Sequence, residues 1–227
     1  MSGWKVLTFD CYGTLVDWEA GIASAFATRA RRDGVELPAA DVLRAYAEAE
    51  PRVQRERFRP YREVLARAAA ETARQLGWAL DESAASFLAE SLPSWPVFPD
   101  TDGALRRFAA AGLELGILSN IDDDLIAATV RGLAVPFDFI VTAEDVSSYK
   151  PRPAHFEAAA RRIGSRRWLH VAQSRFHDVE PATALGIPVA WVNRRGEPEG
   201  GGAQPAIVVR DLGALADRLG LHAEPHT

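Results

Sequence analysis

The chain has 227 residues, 48% of them hydrophobic and 25% charged, with a formal net charge of −5. That much apolar sequence buries a substantial core, which excludes disordered and coiled-coil chains, and the acidic balance disfavours nucleic acid as a partner. One cysteine, Cys11, excludes an intramolecular disulfide framework and a multi-cysteine zinc site; with no apolar run of ~18 residues and no secretory pattern in MSGWKVLTFD, a cytoplasmic protein without a membrane partner is expected.

WKVLTFD, Trp4 to Asp10, reads as a short buried strand ending on a carboxylate, and CYGTLVD turns at Gly13. From about Trp18 to Trp95 no strand pattern occurs. Four helical patterns stand there: GIASAFATRARR, DVLRAYAEAE, PYREVLARAAAETARQLGW and DESAASFLAESL. Pro60 suits a helix start, Asp81 is a candidate N-cap, and Pro51 should break the second helix. SLPSWPVFPDT, with Pro93, Pro96 and Pro99, is a connector. Helix and strand then alternate: ALRRFAAAG and LELGILSN, DDDLIAATVRGL and FDFIVTA, AHFEAAARRIG and WLHVAQS, EPATALG and IPVAWVN. A Gly-rich loop GEPEGGG, a short strand AIVV and a helix DLGALADRL complete the pattern. Such alternation makes a parallel sheet with helices on both faces. The expected architecture is α/β: a Rossmann-like core of residues 1–15 and 96–227, with a helical insertion at 16–95.

Open parallel sheets bind ligands beyond the carboxyl ends of their strands. The first strand ends at Asp10, followed by Tyr12 and Thr14; the second ends at Ser119 and Asn120. The third leads to Tyr149 and Lys150, and the fourth to Gln173, Ser174 and Asp178. Each has a plain structural reading alone: a turn cap, a helix cap, a solvated lysine. Four segments converging on one sheet edge favour a site. With 24 arginines against two lysines, Lys150 stands out further.

FDCYGTLVD, LSN, YKP and the HD of SRFHDVEPA resemble, in order, the four motifs of the haloacid dehalogenase superfamily. The insertion after the first motif looks like that superfamily's helical cap. DCYGTL and WVNR most resemble the type II 2-haloacid dehalogenases. The resemblance implies that Asp10 is a nucleophile forming a covalent ester that water then hydrolyses. It implies that Lys150 keeps Asp10 ionised, and that Asp178 is the retained acid of the fourth motif. Thr14 would orient the nucleophile. Tyr12, Ser119, Asn120 and Ser174 would meet the substrate, and Arg44 of the cap would receive the halide. A homodimer is expected on the same ground.

The departures from the phosphatase pattern carry chemical meaning. Magnesium-dependent relatives read Asp-x-Asp, and the second acid protonates an alkoxide leaving group; here that position is Tyr12. A halide is a very weak base and leaves without a proton. VAQSRFHD aligns with V-G-D-S-x-x-x-D so that Gln173 replaces one magnesium-holding acid. Hydrolysis of a small 2-haloacid without metal or cofactor is therefore expected. Two alternatives stand beside it: a magnesium-dependent phosphatase and a non-catalytic α/β binding protein with a strand-end Asp. Gln173, Ser174, Arg175 and His177 also depart from the Ser and Asn that type II dehalogenases carry in this loop. His177 reads as a structural histidine and Cys11 as a core thiol on the opposite face.

Overall fold

The structure is a computed structural model describing residues 3–81, 84–198, 200 and 202–221. Six strands form one parallel sheet: β1 (Val6–Phe9), β2 (Glu114–Ser119), β3 (Phe139–Thr142), β4 (Trp168–Ala172), β5 (Val189–Val192) and β6 (Ile207–Val209). Their spatial order is β3-β2-β1-β4-β5-β6. The order reverses between β1 and β4, and a crevice opens at such a switch point beyond the strands' carboxyl ends. The residues after β1 and β4 border that crevice. The strands are short apolar runs because a parallel sheet is covered on both faces. Alternation sorts them. Leu7, Phe9, Leu169 and Val171 join one core cluster; Val6, Leu118, Trp168 and Trp191 join another. Each fully buried side chain of this size contributes ~2 kcal/mol.

The helices between β1 and β2 are α1 (Trp18–Arg32), α2 (Ala39–Arg55), α3 (Tyr61–Gln75), the short α4 (Phe87–Ser91) and α5 (Thr101–Ala110). Between the later strands come α6 (Asp123–Val130), α7 (Ala143–Val146), α8 (Ala154–Ile163) and α9 (Glu180–Ala184), and α10 (Leu212–Arg218) follows β6. Asp17 caps α1 by accepting from Ala20 N at 3.1 Å. Asp122 fastens α3 to the β2–α6 loop, accepting from the N–H groups of Tyr61 (2.5 Å) and Arg62 (2.9 Å). Two helix-start donors thus find a carboxylate, a favourable pairing with the helix dipole.

Three details differ from the sequence expectations. Pro51 lies inside α2 and does not end it. A proline in a helix interior costs ~3 kcal/mol. Here the turn beyond it is held by buried Ala49 and Val53, and by Arg59 Nη1 donating to Val53 O at 3.1 Å. The helix expected from Asp81 begins only at Phe87; residues 82 and 83, which the Asp81 cap concerns, lie outside the described residues, as do 199 and 201 of the Gly-rich loop. α7 was not expected: Thr142 and Asp145 form a capping box that sustains its single turn.

Between α2 and α3 sits a carboxyl that the sequence reading did not single out. Glu50 accepts hydrogen bonds from Tyr61 Oη (3.2 Å) and from Gln54 Nε2. Burial outweighs both bonds and pushes its pKa up to about 7. The folded state therefore favours protonated Glu50, and stability falls as pH rises from the unfolded value near 4.5 through about 7. Glu50→Gln should raise the unfolding midpoint more at pH 8 than at pH 5, by up to about 3 kcal/mol of difference. Chemical denaturation at both pH values measures it; equal effects would show that Glu50 is solvated.

Candidate active site

The crevice at the switch point is organised by one buried ammonium. Lys150 is 1% exposed, in the loop after α7. Its Nζ donates to Asp10 Oδ1 (2.9 Å), Asp178 Oδ1 (2.6 Å) and the carbonyl of Leu118 at the end of β2 (2.8 Å). An ammonium has three protons, so these acceptors use all of them. Asn120 locks the lysine's main chain reciprocally: its Nδ2 donates to Lys150 O (3.0 Å), and its Oδ1 accepts from Lys150 N (2.7 Å). The amide expected to meet a substrate is engaged in holding the lysine.

Asp10 follows β1 directly and has both oxygens occupied, Oδ2 by the Thr14 hydroxyl at 2.9 Å. Thr14 Oγ1 in turn accepts from Gln173 N at 3.0 Å, which ties the turn after β1 to the loop after β4. Thr14 thus bonds directly to the carboxylate it was expected to orient. Asp178 stands in a single π-turn at Arg175–Val179 and is fully buried. Its Oδ1 accepts from Lys150 and from His170 Nε2 at 2.9 Å, and its Oδ2 has no hydrogen-bond partner among the described residues.

The charges are coupled. Burial alone would raise Asp178, but Lys150 and His170 hold it well below the usual carboxylate range. Burial also raises Asp10 and outweighs Lys150, with the Asp178 charge pushing the same way. Burial would lower Lys150, but the two carboxylates raise it. In the resting site these couplings favour the carboxylate form of Asp178 and the ammonium form of Lys150.

The other expected residues are placed as follows. Tyr12 Oη pairs with Thr129 Oγ1 at 2.8 Å, and the ring stands edge-on to Trp95 at 5.7 Å. Ser119 is buried at the end of β2, its carbonyl 3.1 Å from His155 Nε2. Ser174 Oγ caps the π-turn by accepting from His177 N at 3.1 Å, and also lies 3.1 Å from His177 Nδ1. His177 is therefore partnered by Ser174, and Cys11 is fully buried.

Arg44 is not in the site. Its side chain is 69% exposed and paired with Asp41 at 2.7 Å. The buried stripe of α2 runs through Val42, Ala45, Tyr46, Ala49 and Val53, and helical periodicity puts position 44 on the other face. Arg52 is exposed too, beside Glu48. Arg59 is the buried arginine of this region, bound to Glu56 and to Val53 O.

The residues do not suit a magnesium ion. Asp178 Oδ1 is occupied by two donors, Tyr12 is tied to Thr129, and the Lys150 cation lies between the carboxylates. Among the described residues no three His, Cys, Asp or Glu side chains cluster as ligands, and no helix is long and apolar enough to cross a membrane.

The sequence reading missed His170, Thr8 and Trp168. Thr8 Oγ1 is 2.8 Å from His170 Nδ1 and accepts from Trp168 Nε1 at 2.6 Å. The available signal was a polar residue at the centre of the apolar strand WLHVA.

A family model for haloacid dehalogenase-like hydrolases matches residues 4–186. An (S)-2-haloacid dehalogenase H-109 of Pseudomonas putida is 34% identical over 152 residues, 65% of this chain and 68% of that protein. The (S)-2-haloacid dehalogenase of Pseudomonas sp. (strain YL) is 30% identical over 220 residues, 94% and 93% of the two chains. The fold is like that of an L-2-haloacid dehalogenase from Xanthobacter autotrophicus with chloropropionic acid covalently bound: TM-score 0.82 at 22% identity, covering 97% of this chain and all of that one.

Two substitutions test the geometry. Lys150→Met leaves two buried carboxylates facing each other without a cation, and should destabilise by about 3–5 kcal/mol. The carboxylate pKa values then rise above their unfolded values, so the loss should be larger at pH 8 than at pH 5 in denaturant titrations. Arg44→Ala, which removes only an exposed ion pair worth ~0.5 kcal/mol, should leave stability and turnover near wild type. A large loss of turnover would return Arg44 to the site.

Proposed function

Because the chain belongs to the haloacid dehalogenase-like hydrolase family, we propose that it hydrolyses short 2-haloalkanoic acids to 2-hydroxy acids through an ester on Asp10. The observation that carries this reading is the arrangement of Asp10, Lys150 and Asp178 around one buried ammonium, in a site without the phosphatase acids. The segment 16–95 acts as the cap over a core formed by 1–15 and 96–227. The names of the relatives support the substrate class. A cytoplasmic homodimer belongs to the same proposal, and light scattering of the purified protein tests its dimeric part.

Asp10 attacks the carbon bearing the halogen and the halide departs in line with attack. The Lys150 ammonium and the Thr14 hydroxyl favour the ionised nucleophile against the opposing effect of burial and hold it aimed. Two carboxylates and one ammonium leave the site with a net negative charge, so the substrate carboxylate must be met by donors. Lys150 and Asn120 are committed to other partners. The N–H groups of Gly13, Thr14, Leu15 and Val16 are likewise spent inside their turn, so Ser119 and the main-chain N–H groups of Cys11 and Tyr12 are the donors assigned here. With Arg44 in solvent, the aromatic residues Tyr12, Trp18 and Tyr46 form the halide side; the Trp18 and Tyr46 rings lie 6.3 Å apart.

Water then attacks the ester carbonyl, with Asp178 as the acceptor for its proton. Asp178→Asn should therefore stop turnover after the ester has formed, and Asp10→Asn should stop it before. Halide release from a panel of fluoro-, chloro- and bromo-acids, followed by mass spectrometry of the protein, separates the two. Turnover should survive EDTA unchanged. No halide from any 2-haloacid, together with magnesium-dependent release of phosphate from p-nitrophenyl phosphate, would replace this reading with the phosphatase.

A further inference from the structure

The histidine in β4 takes no part in the steps above, yet it is fully buried and touches the acid that serves the hydrolytic step. Parallel register places Thr8 directly beside His170. Period-two alternation puts Thr8, Trp168 and His170 on one face of the sheet, the face on which Asp10 also falls.

The hydrogen bonds of this row run in one direction. An indole N–H only donates, so Trp168 gives its proton to Thr8 Oγ1 (2.6 Å). The Thr8 hydroxyl proton then has His170 Nδ1, at 2.8 Å, as its acceptor among the described residues. An Nδ1 that accepts carries no proton, so the ring is neutral and its proton sits on Nε2. Nε2–H donates to Asp178 Oδ1 at 2.9 Å. With Lys150 on the same oxygen, the carboxylate cannot rotate without losing two donors. Its Oδ2 is the other oxygen, buried and without a partner among the described residues. A buried carboxylate oxygen without a donor is costly, and a water molecule supplies a donor.

We infer that Trp168, Thr8 and His170 form a polarised relay that sets Asp178 in one orientation, with Oδ2 presented to the hydrolytic water, so that His170 and Thr8 are positioning residues for hydrolysis of the Asp10 ester. The inference rests on the reaction proposed above. As water oxygen bonds to the ester carbonyl carbon, one water proton passes to Asp178 Oδ2. The tetrahedral oxyanion then expels the hydroxy acid as its alkoxide, which takes that proton from Asp178. Asp10 is left as a carboxylic acid that loses its proton to solvent.

The experiment has two arms. In the first, nitrogen-15 NMR of the free wild-type protein reads the His170 tautomer: protonated Nε2 and unprotonated Nδ1 are expected. A proton on Nδ1 overturns the relay whatever the enzyme's substrate.

In the second arm, rapid-quench mass spectrometry with chloroacetate follows the ester. His170→Phe should form it within about 10-fold of the wild-type rate but hydrolyse it about 100-fold more slowly, in the range that positioned proton transfer contributes. The ester should accumulate. His170→Gln, which restores a donor near the Nε2 position, should recover most of the loss. Thr8→Val should slow hydrolysis as well, and Thr8→Ser should restore it, so the pair decides the matter even if His170→Phe fails to fold. Wild-type ester hydrolysis in Thr8→Val, or equal rates in the Val and Ser variants, overturns the inference. A wild-type enzyme with the expected tautomer that forms no ester from any 2-haloacid overturns the reaction and leaves the relay standing.

Discussion

The Lys150 ammonium is the constraint around which the site is built. It lies in a buried region with three acceptors for three protons, two of them carboxylates and one the carbonyl of Leu118, next to last in β2. Burying an ammonium and two carboxylates costs several kcal/mol per ion before their attraction is counted. Good geometry and complete hydrogen bonding are what make such a cluster tolerable. Asn120, Thr14 and His170 are consequences: each spends its polar atoms fixing a member of the cluster. A protein that needed only stability would fill this volume with apolar side chains. The cluster is better explained by the chemistry it prepares than by the fold it supports.

The sheet topology delivers the cluster. Asp10, the Leu118 carbonyl and Asp178 follow or end strands that are neighbours in space but remote in sequence. The reversal of strand order between β1 and β4 leaves room at that edge for the loop carrying Lys150. The same alternation that buries Phe9 and Val171 in one cluster lines up Thr8, His170 and Trp168 in the opposite layer. The histidine is thus both a core residue and a neighbour of the active acid. Thr8 and Trp168, which carry no net charge, meet it on one side, and the Asp178 carboxylate meets it on the other.

The helical segment is joined to this edge by specific polar contacts. Asp122, just beyond β2, takes the first N–H groups of α3, and Tyr149, beside Lys150, donates to Arg59 O at 2.7 Å. Residues adjacent to the site therefore also hold the helices over it. This packing leaves the arginines of α2 in solvent and turns Tyr46 and Glu50 inward. Glu50 meets Tyr61 there, and the Tyr46 ring packs 6.3 Å from that of Trp18.

Much of this was legible in the sequence because it depends on local pattern. Apolar runs separated by helical periodicity gave a parallel sheet, and the carboxylate at the end of the first run marked the edge that binds. Asp10, Thr14 and Asp178 could be named because each follows a strand, and Lys150 because it is one of two lysines and stands in a YKP motif. Pro51 was misjudged because its cost is local and its compensation is not: Arg59 and the buried stripe of α2 hold the helix beyond it. Arg44 was misplaced because the charge of a residue does not show which face of a helix is buried; only the packing of α2 on its neighbours decided that. Asn120 looked like a substrate donor, and its role depended on where the Lys150 main chain came to rest, 30 residues later. His170 was read as one residue of a strand. Only the register of β1 on β4 put a hydroxyl on one of its nitrogens, and only the π-turn after β4 put a carboxylate on the other. Residue type and spacing therefore determined the strand edge and the acids on it, whereas the partner of each polar atom was settled by tertiary structure, because a hydrogen bond depends on distance in space and not on separation along the chain.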